Sequence, residues 1–182
     1  MDAEKPGGVV RRIHANSLLL EPLVAAHAEE MFEPMSAPEI YAFIAEEPPI
    51  SLSALRKRYR ELARGCSADG REIWLNWVVR VASGSCAGYV QATINPGSTG
   101  DLAFAFAPQF WGRSVSFEAC QAAVQHMAQE LRVRRLYATV DALNVRSMHL
   151  LTRLGFAEVP AAHYPHGAVE PSDRVFALAC HV

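Results

Sequence analysis

Apolar and polar positions along this chain change period several times, and each change marks an element. From Ile73 to Val81 and from Ala87 to Ile94 the chain is dense in β-branched and aromatic residues, with Ser83-Gly84-Ser85 between the runs. That pattern predicts a β-hairpin. Pro96-Gly97-Ser98-Thr99-Gly100 then turns the chain into a third strand over Leu102–Ala107, completing an antiparallel meander. From Arg113 to Leu131 the period lengthens: Phe117, Cys120, Val124, Met127 and Leu131 recur three or four apart, which predicts a helix with one buried face. Arg134–Asp141 reads as a strand. Asn144–Leu154 reads as a helix that buries Met148, Leu151 and Leu154, with Gly155 where a left-handed residue ends it. Phe156–Val159 and Arg174–Ala179 supply two last strands, joined by the long segment Pro160–Ser172.

The first third is less regular. Ser17–Leu20 predicts an opening strand ended by Pro22, and the alanine-rich stretch Leu23–Phe32 a helix closed by Pro34. Glu39–Ile44 adds a turn or two, and Ser51 caps a helix running through Leu62 and ending near Gly65. The order β-α-α-β-β-β-α-β-α-β-β implies a mixed α+β fold on one mostly antiparallel, twisted sheet of about seven strands with about four helices. Residues 1–11, with Lys5, Pro6, Gly7 and Gly8, read as a flexible tail, and 12–182 as a single domain.

Composition narrows the functional classes. A formal net charge of -2 carries no nucleic-acid footprint, and the cluster Arg56, Arg58 and Arg60 reads as a solvated helix face beside Glu61. No apolar run is long enough to span a bilayer, so no membrane partner is expected. Cys66, Cys86, Cys120 and Cys180 form no C-x-x-C pair and read as reduced thiols. With no signal-peptide pattern, a cytoplasmic location is expected, and no metal site.

The chemistry concentrates in Asp101–Cys120, D-L-A-F-A-F-A-P-Q-F-W-G-R-S-V-S-F-E-A-C. A strand enters a helix there through a turn bearing Gly112. Such a turn aims unpaired N–H groups and the positive end of a helix dipole at one point, a place for phosphate. A second helix start, Asn144-Val145-Arg146-Ser147, and its stop, Leu154-Gly155-Phe156, complete the constellation.

With these residues in view, the chain resembles the GCN5-related N-acetyltransferase (GNAT) superfamily, and most closely its RimJ/RimL-like branch. N-S-L-L-L-E-P-L is similar to the first strand of that branch, with Glu21 in place of the usual arginine. The Asp101–Ala119 segment resembles the family's fourth strand and acetyl-CoA turn, and N-V-R-S-M-H-L-L-T-R-L-G-F its next helix. The turn departs from the usual Q/R-x-x-G-x-G/A: it reads Trp111-Gly112-Arg113-Ser114-Val115-Ser116, with Ser114 for glycine and Ser116 for Gly/Ala. A Cβ crowds close backbone approach to a pyrophosphate, whereas a serine hydroxyl can donate to phosphate.

The resemblance implies an acetyl-CoA-dependent N-acetyltransferase that passes acetyl directly to a primary amine, a small molecule or a peptide or protein N-terminus. Backbone groups of Phe104, Ala105 and Phe106 would hold pantetheine, and N–H groups from Gly112 to Ser116, with Arg113, the pyrophosphate. Trp111 belongs to the same turn. Many members protonate the departing thiolate with a tyrosine one turn beyond Ser147, where this chain has Leu151. Ser147 is then the leading donor, with Asn144 orienting pantetheine or a water; equally, Asn144 serves as an N-cap and Ser147 as a plain first-turn hydroxyl. No general base is assigned, Asp101 and Glu72 both reading as solvated strand ends. A homodimer stays open.

The acceptor walls are expected from Ser36–Ile50 and Pro160–Ser172, carrying Tyr41, Glu46, Glu47, Tyr164 and Glu170. Trp74 and Trp77, three apart in a strand, face opposite sides, one toward the core and one toward the acceptor cleft. Gly84-Ser85-Cys86-Ala87-Gly88 imitates a nucleophile elbow but enters a strand, so it reads as a turn. His163 and His166 lack a third ligand and read as surface or acceptor contacts. Two alternatives stand beside the enzyme: a catalytically silent module binding acyl-CoA or a protein partner, and an acyltransferase for longer acyl chains.

Overall fold

The computed structural model describes residues 10–180. Its strands are β1 (Ile13–Ala15), β2 (Leu18–Pro22), β3 (Ile73–Val81), β4 (Cys86–Asn95), β5 (Thr99–Phe106), β6 (Arg135–Asp141), β7 (Ala157–Val159) and β8 (Asp173–Ala179). They form one sheet in the order β1-β2-β3-β4-β5-β6-β8-β7. Only β5 and β6 run parallel, as the intervening helix requires. The helices are α1 (Ala28–Met31), α2 (Leu52–Leu62), α3 (Val115–Leu131) and α4 (Val145–Arg153).

Eight strands rather than about seven follow from β1. Ile13–Ala15 pairs back on Leu18–Leu20 through a tight turn in which Asn16 takes a left-handed φ of 44°. Of the expected tail, residues 1–9 lie outside the described residues, while the Arg11 carbonyl accepts from the Trp77 indole N–H at 2.8 Å. The alanine-rich helix is interrupted: Ala25–His27 is a 3-10 turn before α1, and His27 Nδ1 accepts from the Val24 N–H. Ser51 caps α2 as expected, its hydroxyl accepting from the Ala54 N–H at 3.1 Å.

Alternation along the strands sorts side chains into two cores. On one face Leu20, Leu75, Trp77, Val90, Leu102, Phe106 and Leu136 pack with Cys120, Ala123 and Met127 of α3 and Leu151 of α4. On the other, Val78 and Ala105 meet Met31 of α1, Leu55 and Tyr59 of α2, and Met35 and Ile40 of the 3-10 turns between them. Each large apolar side chain buried in this way contributes roughly 1.5–3 kcal/mol. Glu21, where arginine was expected, is served by a neighbouring strand: Arg80 donates to it at 2.8 Å and to Glu30 of α1 at 2.7 Å. That pairing holds the Arg80 guanidinium well above its ordinary pKa.

Cys86 opens β4 and is buried, its thiol pushed up to about 11 by burial, which fits a strand residue and not a nucleophile. All four cysteines are free thiols. No described helix is long and apolar enough to cross a membrane.

Candidate active site

The site begins where β5 and β6 part. Their ladder covers only Thr99–Asp101 against Arg135–Tyr137; beyond it β6 continues paired with β8 as far as Asp141, and β5 runs on to Phe106. The β5 edge from Leu102 to Phe106 therefore has no strand partner on its β6 side. This leaves a wedge between the backbone of Phe104–Phe106 and the far end of β6, which leads into α4. The Phe106 carbonyl is already committed, accepting from the Trp111 indole N–H at 2.7 Å.

At the mouth of the wedge lies the β5–α3 turn. Gly112 has φ 72°, and a Cβ built there meets nothing within 4 Å. Ser114, the residue that replaces glycine, takes φ 58° and ψ −8°, so the turn keeps a left-handed residue despite the side chain. Ser114 makes no side-chain cap, and the first bond into the helix runs from the Glu118 N–H to the Ser114 carbonyl at 2.9 Å. The N–H groups of Val115, Ser116 and Phe117 are thus left without helical partners at the positive end of α3. Gly112, Arg113 and Ser114 are exposed. An anion-holding turn needs these properties, and the pyrophosphate of a coenzyme A ester fits them.

The start of α4 faces this turn. The Asn144 Oδ1 accepts from the Ser147 N–H at 3.1 Å, so Asn144 is the N-cap. Ser147 sits half-buried in the first turn with its hydroxyl uncommitted among the described residues. Arg146 lies over the Trp111 ring, 3.9 Å from its centroid, and joins the two sides of the mouth. Leu151, one turn beyond Ser147, is fully buried in the α3-side core.

On the α2 face of the sheet lies a cavity of about 290 Å3. Asn76, Tyr89 and Gln91 form its floor; Leu55, Arg58 and Tyr59 of α2 and the stretch Glu46–Ile50 form its walls. Of the stretch Ser36–Ile50 expected as an acceptor wall, Tyr41 and Glu46–Ile50 line this cavity. The expected wall from Pro160–Ser172 is not among the lining residues, because that loop is pinned elsewhere: Tyr164 donates to Asp101 at 2.9 Å and His166 Nδ1 meets Asp101 at 2.6 Å. His166 Nε2 meets the Thr99 hydroxyl at 2.9 Å, and Asn95 donates to Asp101 at 3.2 Å. Asp101 is accordingly no solvated strand end but a three-way acceptor that fastens the loop to β5. Glu72 accepts from the Trp74 indole at 2.9 Å, and Trp74 is not among the lining residues, whereas the fully buried Trp77 is. Among the described residues no three His, Cys, Asp or Glu side chains are grouped to hold a metal.

Burial raises the pKa of Tyr59 and Tyr89, and neighbouring tyrosines and Glu46 add to it, so both phenols stay neutral donors. Tyr59, Tyr89, Gln91 and Asn76 had not been expected at the site. The signal was available in Asn76, which breaks the apolar run of β3, and in Tyr89 and Gln91, which alternate with buried Val90.

The domain model described as acetyltransferase (GNAT) domain matches residues 17–157 of this chain. Among solved structures, a putative acetyltransferase from T. thermophilus is similar at 25% identity and TM-score 0.72, covering 98% of this chain and 92% of that one. Spermidine N-acetyltransferase from Vibrio cholerae, in complex with CoA and spermine, shares the fold at 19% identity and TM-score 0.72, over 90% and 96% of the two chains. The ribosomal-protein α-N-acetyltransferase RimL, in complex with coenzyme A, does so at 17% identity and TM-score 0.77, over 93% and 98%.

Proposed function

Since the chain belongs to the GNAT acetyltransferase family, we propose that it transfers an acetyl group from acetyl-CoA directly to a primary amine. The single observation that carries this reading is the wedge between β5 and β6, with the left-handed turn Gly112–Ser114 and the bare N–H groups of α3 at its mouth. Its kinship within the family to RimJ/RimL-like enzymes is supported by the Trp111-Gly112 turn.

Bound acetyl-CoA would supply the activated acyl carbon; the neutral amine nitrogen would bond to it and give up one proton as the carbon–sulfur bond breaks, and the CoA sulfur would take up one proton. Gly112, Arg113, Ser114, Val115 and Ser116 would hold the pyrophosphate. Phe104 and Ala105 would pair with the pantetheine arm, and Trp111 would fix the turn. Asn144 caps the first turn of α4, and the Ser147 hydroxyl in that turn would give the sulfur its proton. Tyr89 and Gln91 stand beside Ala105 and Ala103 of β5 in register, so an amine in the cavity reaches the acyl carbon across one strand.

The left-handed Ser114 favours the enzyme over a catalytically silent module, because the serine adopts the conformation that glycine would have supplied. The test is release of CoA thiol from acetyl-CoA with and without amines. Release that depends on amine, with matching acetylated product, is expected. Release unaffected by any amine, or none with acetyl-CoA bound, contradicts direct transfer.

A further inference from the structure

The α2-side cavity has polar groups on its sheet floor, on α2 (Arg58 and Tyr59) and along its rim (Tyr41, Glu46 and Glu47), with carbon surface between them. Tyr89 and Gln91 of β4 lie next to β5, and Asn76 of β3 pairs with Gln91 on the far side. Facing them are Leu23, Met35, Leu55 and Leu62, with Pro48 and Pro49 along the edge. The apolar surface continues outward: Ile50 is 89% exposed, and Phe43 and Ile44 on the same stretch are exposed as well. Of the two carboxylates that line the cavity, Glu46 is bonded to Arg58 at 2.9 Å. Glu47 is the one carboxylate there with no cationic partner among the described residues.

These observations favour one kind of acceptor. A polyamine carries several spaced cationic nitrogens; Glu47 could balance one of them, and any other beyond the first would lie against leucine or beside the Arg58 guanidinium. A peptide entering by its N-terminus would carry its amide groups past Pro48, Pro49 and Ile50, whose side chains offer no hydrogen bonds. A single nitrogen on a compact carbon body meets neither cost. At about 290 Å3 the cavity lies at the small end of the range for small-molecule sites, roughly 300–1,000 Å3. We infer that the acceptor is a small primary monoamine whose nitrogen is carried on an apolar aryl or branched-alkyl body. This rests on the proposed function. The body packs against Leu55 and Leu62, and the nitrogen is directed to Tyr89 and Gln91 beside β5.

The test compares kcat/KM for 2-phenylethylamine, spermidine and a short peptide beginning with alanine, each with saturating acetyl-CoA. The aryl amine is expected to lead both others by about tenfold or more. Ala54 is a half-buried helix residue facing the cavity, and Ala54→Phe fills space without a charge. It is expected to raise KM for 2-phenylethylamine by a similar factor while the acetyl-CoA Kd stays at the wild-type value, which also shows that the variant folds. Ile50→Ser on the exposed rim is expected to raise the same KM several-fold. Preference for spermidine or for the peptide overturns the inference, as does an unchanged KM in both variants. A protein that binds acetyl-CoA and prefers spermidine overturns this inference alone; one that binds no acetyl-CoA overturns the proposed function and this inference together.

Discussion

Arg146 of α4 lies over the ring of Trp111, 3.9 Å from its centroid, so the helix that bears Ser147 is tied to the turn that bears Gly112. Trp111 is held in its place by donating to the Phe106 carbonyl at 2.7 Å. An exposed cation–π pair contributes about 0.5–1 kcal/mol. Arg146→Ala is therefore expected to cost no more than that in urea unfolding, while weakening acetyl-CoA binding several-fold through a less ordered turn. Unchanged affinity would show that the stack does not order the turn.

Ser147 has its N–H bonded to Asn144 and its hydroxyl uncommitted. Ser147→Ala is expected to lower kcat by about 10²-fold, the scale of general acid catalysis, with little change in acetyl-CoA affinity. Turnover at the wild-type rate would return Ser147 to a plain first-turn residue.

Gly88 of β4 sits opposite Phe106 of β5, with no room for a side chain. It has φ 157°, and a Cβ there would overlap the Ala105 carbonyl oxygen and stand 2.7 Å from the Phe106 Cα. Gly88→Ala is expected to destabilise the fold by about 1–3 kcal/mol, as overpacking does, and to weaken acetyl-CoA binding because β5 must shift. Urea unfolding with a midpoint equal to wild type would contradict the close approach.

Much of this fold is legible in the chain because local signals and tertiary demands agree. Ser51 before an apolar-periodic run is a cap in sequence and in structure, and the Ser83–Ser85 punctuation between two β-branched runs does make a hairpin. Ile13–Ala15 was not legible as a strand: three residues interrupted by a histidine carry no period, and they are extended because Leu18–Leu20 offers an edge. Neither was the loop clamp. Asp101, Tyr164 and His166 are brought together by the sheet order, which sets β5 beside β6 and β6 beside β8, and nothing within any of the three segments announces it. The cavity was half legible. Its outer wall over Ser36–Ile50 follows from proline-broken helices, whereas its floor needed the pairing of β3 with β4.

Two histidines make stability depend on pH. Burial lowers the pKa of His126 and of His27 from 6.5, with Glu130 and Arg11 acting on the first and Glu21, Arg80 and Glu30 on the second. His126 Nε2 is buried without a partner, and its ring meets Trp77 edge-on at 5.9 Å. A lowered pKa means that the unfolded chain binds the proton more readily. The stabilisation is thus complete above about 6.5 and is lost as the pH falls through that value toward the folded-state pKa. His126→Gln is expected to flatten the fall of Tm on the acid side of 6.5, and parallel wild-type and variant profiles would contradict the assignment.

The central claim is that the β5–α3 turn holds the pyrophosphate of acetyl-CoA, and thermal unfolding with and without the ligand tests it most directly. A ligand that binds only the native state adds about 2.7 kcal/mol at a hundredfold excess over its Kd. Gly112→Asp places a carboxylate where the pyrophosphate would lie, at a position whose Cβ meets no other part of the protein within 4 Å. The account predicts a clear rise in Tm for the wild-type protein and none for a folded Gly112→Asp. No rise in the wild type at saturating acetyl-CoA, or an equal rise in both proteins, would contradict it.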